Sequence, residues 1–463
     1  MRLYFLGIGG TLMGNLAVLA KSLGHEVAGC DETLYPPMSD ILTRHQINTQ
    51  QGFDKSAFSP PPDLVVIGNA RCSRGHPGIE AVLDQGLRYM SGAEFLGSHI
   101  LPGRWPLAVA GTHGKTSGAS MLAWILEHAG ASPGFLIGGA PKNFSSGARL
   151  GTSKWFVLEA DEYDCSYFDR RAKFLHYRPR TLVINNLEYD HADIYDSLEA
   201  IETQFHQLLR SVPASGRVIT PIADASVDRV IEQGCWSERE TFALQDEDAN
   251  WRAELLTGDG SAYQVLRGGS PVGEVHWGES GEHMVANALG ALAAAAHIGI
   301  DPTVGVDALS RYQGVGRRLE VIVDRPGLKV YDDFAHHPTA IAKTLAALSA
   351  RARAEDSHAE VIAVIEPRSH TMSLGTLRSA LAGSTKDATR VFWFKGPGIT
   401  WDMNYLIEHS SVPARIETSI DELAETLARL PSGAGAQHVV LMSNGSFGGL
   451  REKLLARLTE RSP

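Results

Sequence analysis

Residues 106–126, PLAVAGTHGKTSGASMLAWIL, constrain the fold of this chain more than any other stretch. An apolar run with strand character breaks into a glycine-rich turn. The turn opens into a segment with Leu122, Ile125, Leu126 and Ala129 on one helical face, ending at Gly130. Strand, loop and helix around Gly-Lys-Thr form a phosphate cradle: backbone N–H groups converge on the anion and the lysine reaches the outer oxygens. Such a unit belongs in a mainly parallel sheet covered by helices, so the fold class is α/β. The loop is shortened, however. Counting back from Gly114, the common spacing puts a glycine at Val109, and the nearest glycine is Gly111. Gly111, Thr112, His113 and Gly114 are expected to cradle ATP phosphates, with Lys115 on the β/γ oxygens and Thr116 on Mg²⁺.

A second nucleotide-type unit precedes it. RLYFLGIGG is a buried-strand run ending in glycines, and Leu16, Leu19, Ala20 and Leu23 continue it as an amphipathic helix. HEVAGCD then ends a second strand at Asp31, and PDLVVIGNA supplies another with Asn69 at its end. Gly7, Gly9 and Gly10 would hold a diphosphate on the helix N-terminus, with Asp31 near a ribose or base. The last glycine, Gly14, is displaced from the dinucleotide fingerprint, so a nucleotide other than NAD is expected. The same apolar opening resembles a signal peptide in outline. Its glycines at nucleotide-loop spacing, and the strand–helix–strand pattern beyond Ala20, favour a folded cytoplasmic domain.

Two acidic strand ends follow the phosphate loop. KWFVLEADEYD breaks into Glu159, Asp161, Glu162 and Asp164; TLVINNLEYDHADIY breaks into Asn186, Glu188, Asp190, His191 and Asp193. In a parallel sheet these ends converge beside the loop and offer oxygen and imidazole ligands to Mg²⁺. Further on, LKVYDDFAHHPTAIAKTLAAL, EVIAVIEPRSH, RVFWF and HVVLMSNGSFGG read as another α/β domain, joined through YQGVGRRLE. A chain of 463 residues suits about three domains. The expected division is residues 1–104, Rossmann-like; 105–314, phosphate-loop ATPase-like; and 315–463, a second Rossmann-like α/β unit. The net charge of −11 opposes nucleic-acid or anionic-membrane binding, and no apolar run is long enough to span a bilayer. The four cysteines form no C-x-x-C pair, which suits reduced thiols rather than disulfides or a zinc site.

The motifs GIGGTLMG, GTHGKTS, EADEYD, NNLEYDHAD, GEHMVAN, GVGRRLE and DDFAHHPTA together resemble the Mur ligase family, in family order and across essentially the whole chain. The shortened phosphate loop is itself a feature of that family. The resemblance implies an N-terminal domain for a UDP-sugar, a central domain for ATP, and a C-terminal domain that closes over ATP and an incoming amine. By motif, Lys115, Glu159 and His191 are the expected catalytic group, with Thr116, Glu159 and His191 on magnesium. Asn287 is expected near adenine, and Arg318 and Asp333 engage ATP on closure; Gly7, Gly9, Gly10, Asp31 and Asn69 would serve the UDP-sugar.

Two departures stand out: Met284 occupies the place of a family asparagine, and no lysine lies between Ala192 and Val218, where several members carry a carbamylated one. The second resembles the branch that acts on UDP-N-acetylmuramate itself. Two acceptors are open within it, L-alanine and the murein tripeptide L-alanyl-γ-D-glutamyl-meso-diaminopimelate. YPPMS, IGNA, EPRSHTM, MSNGSFGG and the long connection containing RRAKFLHYRPR are more similar to members that take the tripeptide in cell-wall recycling. That connection's cations, Arg170 and Arg171 among them, are candidates for contacting an anionic peptide. Oligomeric state stays open. An NAD-dependent oxidoreductase would leave Lys115 idle, and an ATPase switch would leave the first nucleotide unit unexplained.

Overall fold

The computed structural model describes residues 1–430 and 435–460 and builds them on three main sheets. In the first, β1 (Arg2–Leu6), β2 (Glu26–Asp31), β3 (Asn48–Gln51), β4 (Leu64–Ile67) and β5 (Tyr89–Ser91) lie parallel in the order β3-β2-β1-β4-β5. Chain direction across the sheet reverses at β1, so the loop of Gly7, Gly9 and Gly10 leaves at the crevice where such sheets take ligands. The helix Thr11–Ser22 follows, with Leu16, Leu19 and Ala20 buried as their spacing requires.

The central sheet contains β6 (Trp105–Ala110), β7 (Gly134–Leu136), β8 (Ala148–Arg149) and β9 (Trp155–Glu159). A separate antiparallel hairpin, β10 (Asp164–Ser166) and β11 (Asp169–Ala172), stands between these and the rest. The sheet continues with β12 (Thr181–Ile184), β13 (Arg217–Pro221), β14 (Glu238–Ala243), β15 (Trp251–Leu255), β16 (Ala262–Arg267) and β17 (Ser270–His276). The order is β17-β16-β15-β14-β13-β12-β6-β9-β7-β8, parallel from β15 to β7 and antiparallel at both margins. Leu107 and Val109 face one core cluster while Ala108 and Ala110 face the other. Burial on both faces explains why these strands read as continuous apolar runs.

The third sheet holds β18 (Glu320–Arg325), β19 (Leu328–Asp333), β20 (Glu360–Ile365), β21 (Arg390–Phe394), β22 (Ala414–Glu417) and β23 (Gln437–Met442), ordered β18-β19-β23-β20-β21-β22. Only β18 runs antiparallel. The helix Pro338–Glu355 buries Ile341, Leu345 and Leu348 on its apolar face. Among the described residues no helix is long and apolar enough to cross a membrane, and all four cysteines are free thiols.

Candidate active site

Because β6 lies between β12 and β9, the phosphate loop is flanked by both acidic strand ends. Two residues after β12, Asn186 pins the loop. Its carbonyl accepts from Thr112 N–H (3.1 Å), its Oδ1 accepts from His113 N–H (2.8 Å), and its Nδ2 donates to the His113 carbonyl (3.1 Å). Gly111 sits at φ +128°, and a methyl group there would lie 2.9 Å from the Asn186 carbonyl. Gly114, at φ +80°, ends the loop as the N-cap of the helix Lys115–His128. Both glycines adopt backbone conformations that side chains resist.

The Lys115 ammonium donates to Glu162 Oε2 (2.8 Å) and Oε1 (3.0 Å), and to the Gly111 carbonyl (2.8 Å). Burial alone would lower the lysine's pKa, but the charges of Glu162 and Asp161 carry it above its ordinary value. Burial likewise opposes ionisation of Glu162, and Lys115 with His191 outweighs it and pulls the carboxyl below its usual range. His191 Nε2 lies 3.0 Å from Glu162 Oε1; burial lowers its pKa, and Glu162 and Asp190 reverse the sign. The ammonium, carboxylate and imidazole are thus one charge network, centred on the buried Glu162, with Lys115 and His191 at the wall of the cleft. Its stability contribution from His191 is complete below the imidazole's unfolded pKa and lost as pH rises through the raised folded value.

Thr116 Oγ1 donates to Glu159 Oε1 (2.7 Å), and Glu159 Oε2 accepts from Gly138 N–H (2.7 Å). A hydroxyl and a carboxylate at the wall of the cleft are hard oxygen donors of the kind Mg²⁺ takes. These two of the three expected metal ligands come together. The third, His191, meets Glu162 rather than Glu159, a partner the motif did not specify.

A cleft of about 1770 Å³ runs from Gly9 and Gly10 past the loop, Glu159 and His191 to Arg318 and Asp333. Asp333 is 3% exposed; its oxygens accept from Leu319 N–H (2.7 Å) and Ala335 N–H (2.7 Å), and burial pushes its pKa up. It holds the turn that carries Arg318, whose guanidinium lies 5.1 Å from the centre of the Phe334 ring.

The remaining expected residues make the following contacts. Asp31 accepts from Gly9 N–H (2.9 Å) and Thr33 N–H (3.3 Å), so its carboxylate ties down the first glycine loop. Gly7, at φ +82°, supports that loop from below, off the wall of the cleft. The Asn69 amide donates to the Asp164 carbonyl (3.1 Å) and side chain (2.5 Å), joining the first sheet to the hairpin. Asn287 is largely buried at the wall of the cleft beside the phosphate loop: its Oδ1 accepts from Asn185 (3.1 Å) and would be 2.3 Å from a methyl group on Gly114. Met284 fits beside it, with its sulfur 4.0 Å from Asn287 Nδ2.

The cations of RRAKFLHYRPR are largely spoken for. Arg170 pairs with Asp164 (2.7 Å), Arg171 with Asp169 (2.9 Å), and Lys173 with Asp161 (2.7 Å). Glu162 and Asn186 stand in the strand ends expected to offer ligands, but their roles as the Lys115 counter-charge and the clamp on the loop have no motif signal, and Thr371 has none at all. The Thr371 hydroxyl donates to Asp190 Oδ1 (3.2 Å) and accepts from Ala192 N–H (3.1 Å), bracing the His191 turn from the C-terminal domain. The acids were visible as a cluster, but only tertiary structure assigns their partners.

Comparison with known proteins covers the whole chain. Residues 2–103 match the Mur ligase family catalytic domain, 109–295 the Mur ligase middle domain, and 317–445 the Mur ligase glutamate ligase domain. The chain is 49% identical to the UDP-N-acetylmuramate–L-alanyl-γ-D-glutamyl-meso-2,6-diaminoheptandioate ligase of Escherichia coli (strain K12), covering 100% of this chain and 99% of that protein. The protein of the same name from Haemophilus influenzae (strain ATCC 51907 / DSM 11121 / KW20 / Rd) is 42% identical, over 98% of this chain and 99% of the relative. The crystal structure of a murein peptide ligase from Psychrobacter arcticus 273-4 superposes with a TM-score of 0.76 at 40% identity, covering 100% of both chains.

Proposed function

From the premise that this chain belongs to the Mur ligase family, we propose that it joins L-alanyl-γ-D-glutamyl-meso-diaminopimelate to UDP-N-acetylmuramate at the expense of ATP. The full-length identity to two ligases of that name carries the reading. Residues 1–104 would bind the UDP-sugar, 105–314 ATP, and 315–463 the incoming peptide. The enzyme would work in the cytoplasm, in cell-wall recycling.

A carboxylate does not condense with an amine unaided, because its oxygen leaves poorly. In the proposed reaction the muramoyl carboxylate oxygen attacks the γ-phosphorus of ATP, the bond to the β-phosphate oxygen breaks, and ADP departs from an acyl phosphate. The peptide's neutral amine then adds to the acyl carbon. The tetrahedral species loses inorganic phosphate, which carries away one former carboxylate oxygen, and the nitrogen gives up a proton to leave the amide.

Positioning and charge neutralisation account for most catalysis of such a transfer. The backbone of residues 111–116 would orient the triphosphate, and Lys115 would turn from Glu162 to the β/γ oxygens. Thr116 and Glu159 would hold Mg²⁺, with Glu162 and His191 as a second carboxylate–imidazole donor pair; the bound cation would neutralise phosphate charge. Arg318 and Asp333 would meet ATP from the opposite wall of the cleft.

The test is ADP release with UDP-N-acetylmuramate and either tripeptide or L-alanine as acceptor. Tripeptide should give the higher kcat/KM by at least about tenfold, as a site built for extra polar groups discriminates strongly against an acceptor lacking them. Preference for L-alanine would assign the chain to cell-wall synthesis instead, and acceptor-independent ADP release would remove the ligase reading.

A further inference from the structure

We propose that Glu188 is a positioning residue through which the docked C-terminal domain sets the phosphate loop. The inference rests on the ligase reading for its kinetic consequence, though not for its structural one.

Glu188 touches the loop twice. Its N–H donates to Thr112 Oγ1 (2.9 Å), and that hydroxyl donates back to the Glu188 carbonyl (3.2 Å). Its carboxylate Oε2 lies 3.4 Å from His113 Nε2, the ring at the middle of the loop. The same oxygen accepts from Thr339 Oγ1 (2.5 Å), a residue 151 positions away in the first turn of the helix Pro338–Glu355. One carboxylate oxygen therefore bridges the phosphate loop and the other domain.

The surrounding geometry reinforces the bridge. His337 caps the helix Pro338–Glu355, with Nδ1 3.3 Å from Thr339 N–H, and the same nitrogen lies 3.5 Å from Glu188 Oε2. It is 5% exposed, and its ring centre lies 4.7 Å from that of His113. The histidine at the middle of the loop is thus walled on one side by a ring that arrives with the C-terminal domain.

Many interdomain contacts would simply hold two bodies together. This one ends on Thr112 and His113, which line the cleft where the proposed reaction puts the phosphates, so removing the domain leaves the loop's backbone bonds to Glu188 but withdraws the Thr339 hydroxyl and the His337 ring. A carboxylate freed from such a donor re-solvates and no longer holds His113 in place. Docking of the amine-carrying domain and full ordering of the phosphate loop are then one event.

The test compares Thr339→Val, Thr339→Ser and Glu188→Met by hydrogen exchange of the loop amides and by turnover. Valine keeps the shape and removes the donor; methionine keeps the length and removes the acceptor. In unliganded Thr339→Val, residues 111–114 should exchange about tenfold faster than in wild type, a loss expected for a hydrogen bond to a charged group, with β20 and β23 unchanged. Thr339→Ser should exchange as wild type does. In turnover, kcat should fall about tenfold in Thr339→Val with the KM for UDP-N-acetylmuramate unchanged, and the double variant Glu188→Met/Thr339→Val should be no worse than the worse single. Unchanged loop exchange in Thr339→Val, or strictly additive losses in the double variant, would overturn the proposal. If Glu188→Met fails to fold, the valine–serine comparison decides. A wild-type chain that forms no amide would refute the ligase reading while leaving the exchange result to decide this one.

Discussion

At the scale of single residues, Lys115 is held by a buried carboxylate. Its partner Glu162 is 1% exposed, and both carboxylate oxygens face the ammonium at 2.8 and 3.0 Å. Neutralising one half of a buried pair costs about 3–5 kcal/mol, because the other charge is left without compensation. Glu162→Gln should therefore lower the melting temperature of the unliganded chain. ATP brings its own negative charge to the stranded lysine, so the nucleotide-induced rise in melting temperature should be larger in the variant than in wild type. Thermal melts without Mg²⁺, with and without a non-hydrolysable ATP analogue, measure both quantities apart from any role of Glu162 as a metal donor; an equal rise in the two proteins would mean that Glu162 is not the counter-charge that ATP replaces. Lys115→Ala should be more severe, with turnover falling by about a thousandfold or more, as expected when a fixed cation is removed from a phosphoryl-transfer site. UDP-sugar binding, measured by titration calorimetry, should stay within about threefold of wild type, since the first sheet holds its own loop through Asp31.

At the scale of elements, the arrangement that carries chemistry was the easiest to read. β6, β9 and β12 are buried on both faces, so each is a continuous apolar run that must break into polar residues where it leaves the sheet. Glycine marks the sharpest of these breaks. At Gly114 a methyl group would meet Asn287 Oδ1 at 2.3 Å and Asn185 Nδ2 at 2.9 Å, at a φ of +80°. Gly114→Ala is expected to weaken ATP binding about tenfold or more by pushing the loop off these buried amides, while far-ultraviolet circular dichroism stays as in wild type. Wild-type ATP affinity in that variant would show that the loop has slack that the close approach denies. The antiparallel margin was not legible. β15, β16 and β17 alternate buried and exposed positions only partly, and Gly268 and Gly269 turn between the last two, so no uninterrupted run announced them. Partners were harder still: the acids of EADE and NNLEYDH were visible, but Glu162 meeting both Lys115 and His191, or Glu188 meeting Thr339, depends on contacts between segments far apart in sequence. Asn69 and Asn287 show the same limit: a motif names each residue, but their contacts with Asp164 and Asn185 come from segments about a hundred residues away.

At the scale of the whole molecule, two carboxyl groups of the central domain, Glu188 beside the phosphate loop and Glu279 in the cleft, are shifted to opposite sides of their ordinary pKa, and each adds its own pH dependence to stability. Burial opposes ionisation of Glu188, but His113, Thr339 and His337 together pull its pKa from 4.5 to about 2. Its stabilising contribution is therefore complete above the unfolded value near 4.5 and is lost as pH falls towards about 2. Glu279 behaves in the opposite way. Burial beside the Gly314 turn raises its pKa from 4.5 to about 7, against the pull of Lys142 and Arg351. The folded chain then holds a proton that the unfolded chain releases, so this group's contribution worsens as pH rises from about 4.5 to about 7 and is constant above that. Glu279→Gln removes the titration without removing the side chain's volume. The unliganded variant should match wild type in urea midpoint near pH 4.5, exceed it progressively at pH 6 and pH 8, and leave untouched the acid limb, to which Glu188 contributes. Parallel curves for the two proteins across that interval would show that Glu279 ionises freely in the folded cleft. Its position beside Gly314 would then impose no charge penalty on the connection between the central and C-terminal sheets.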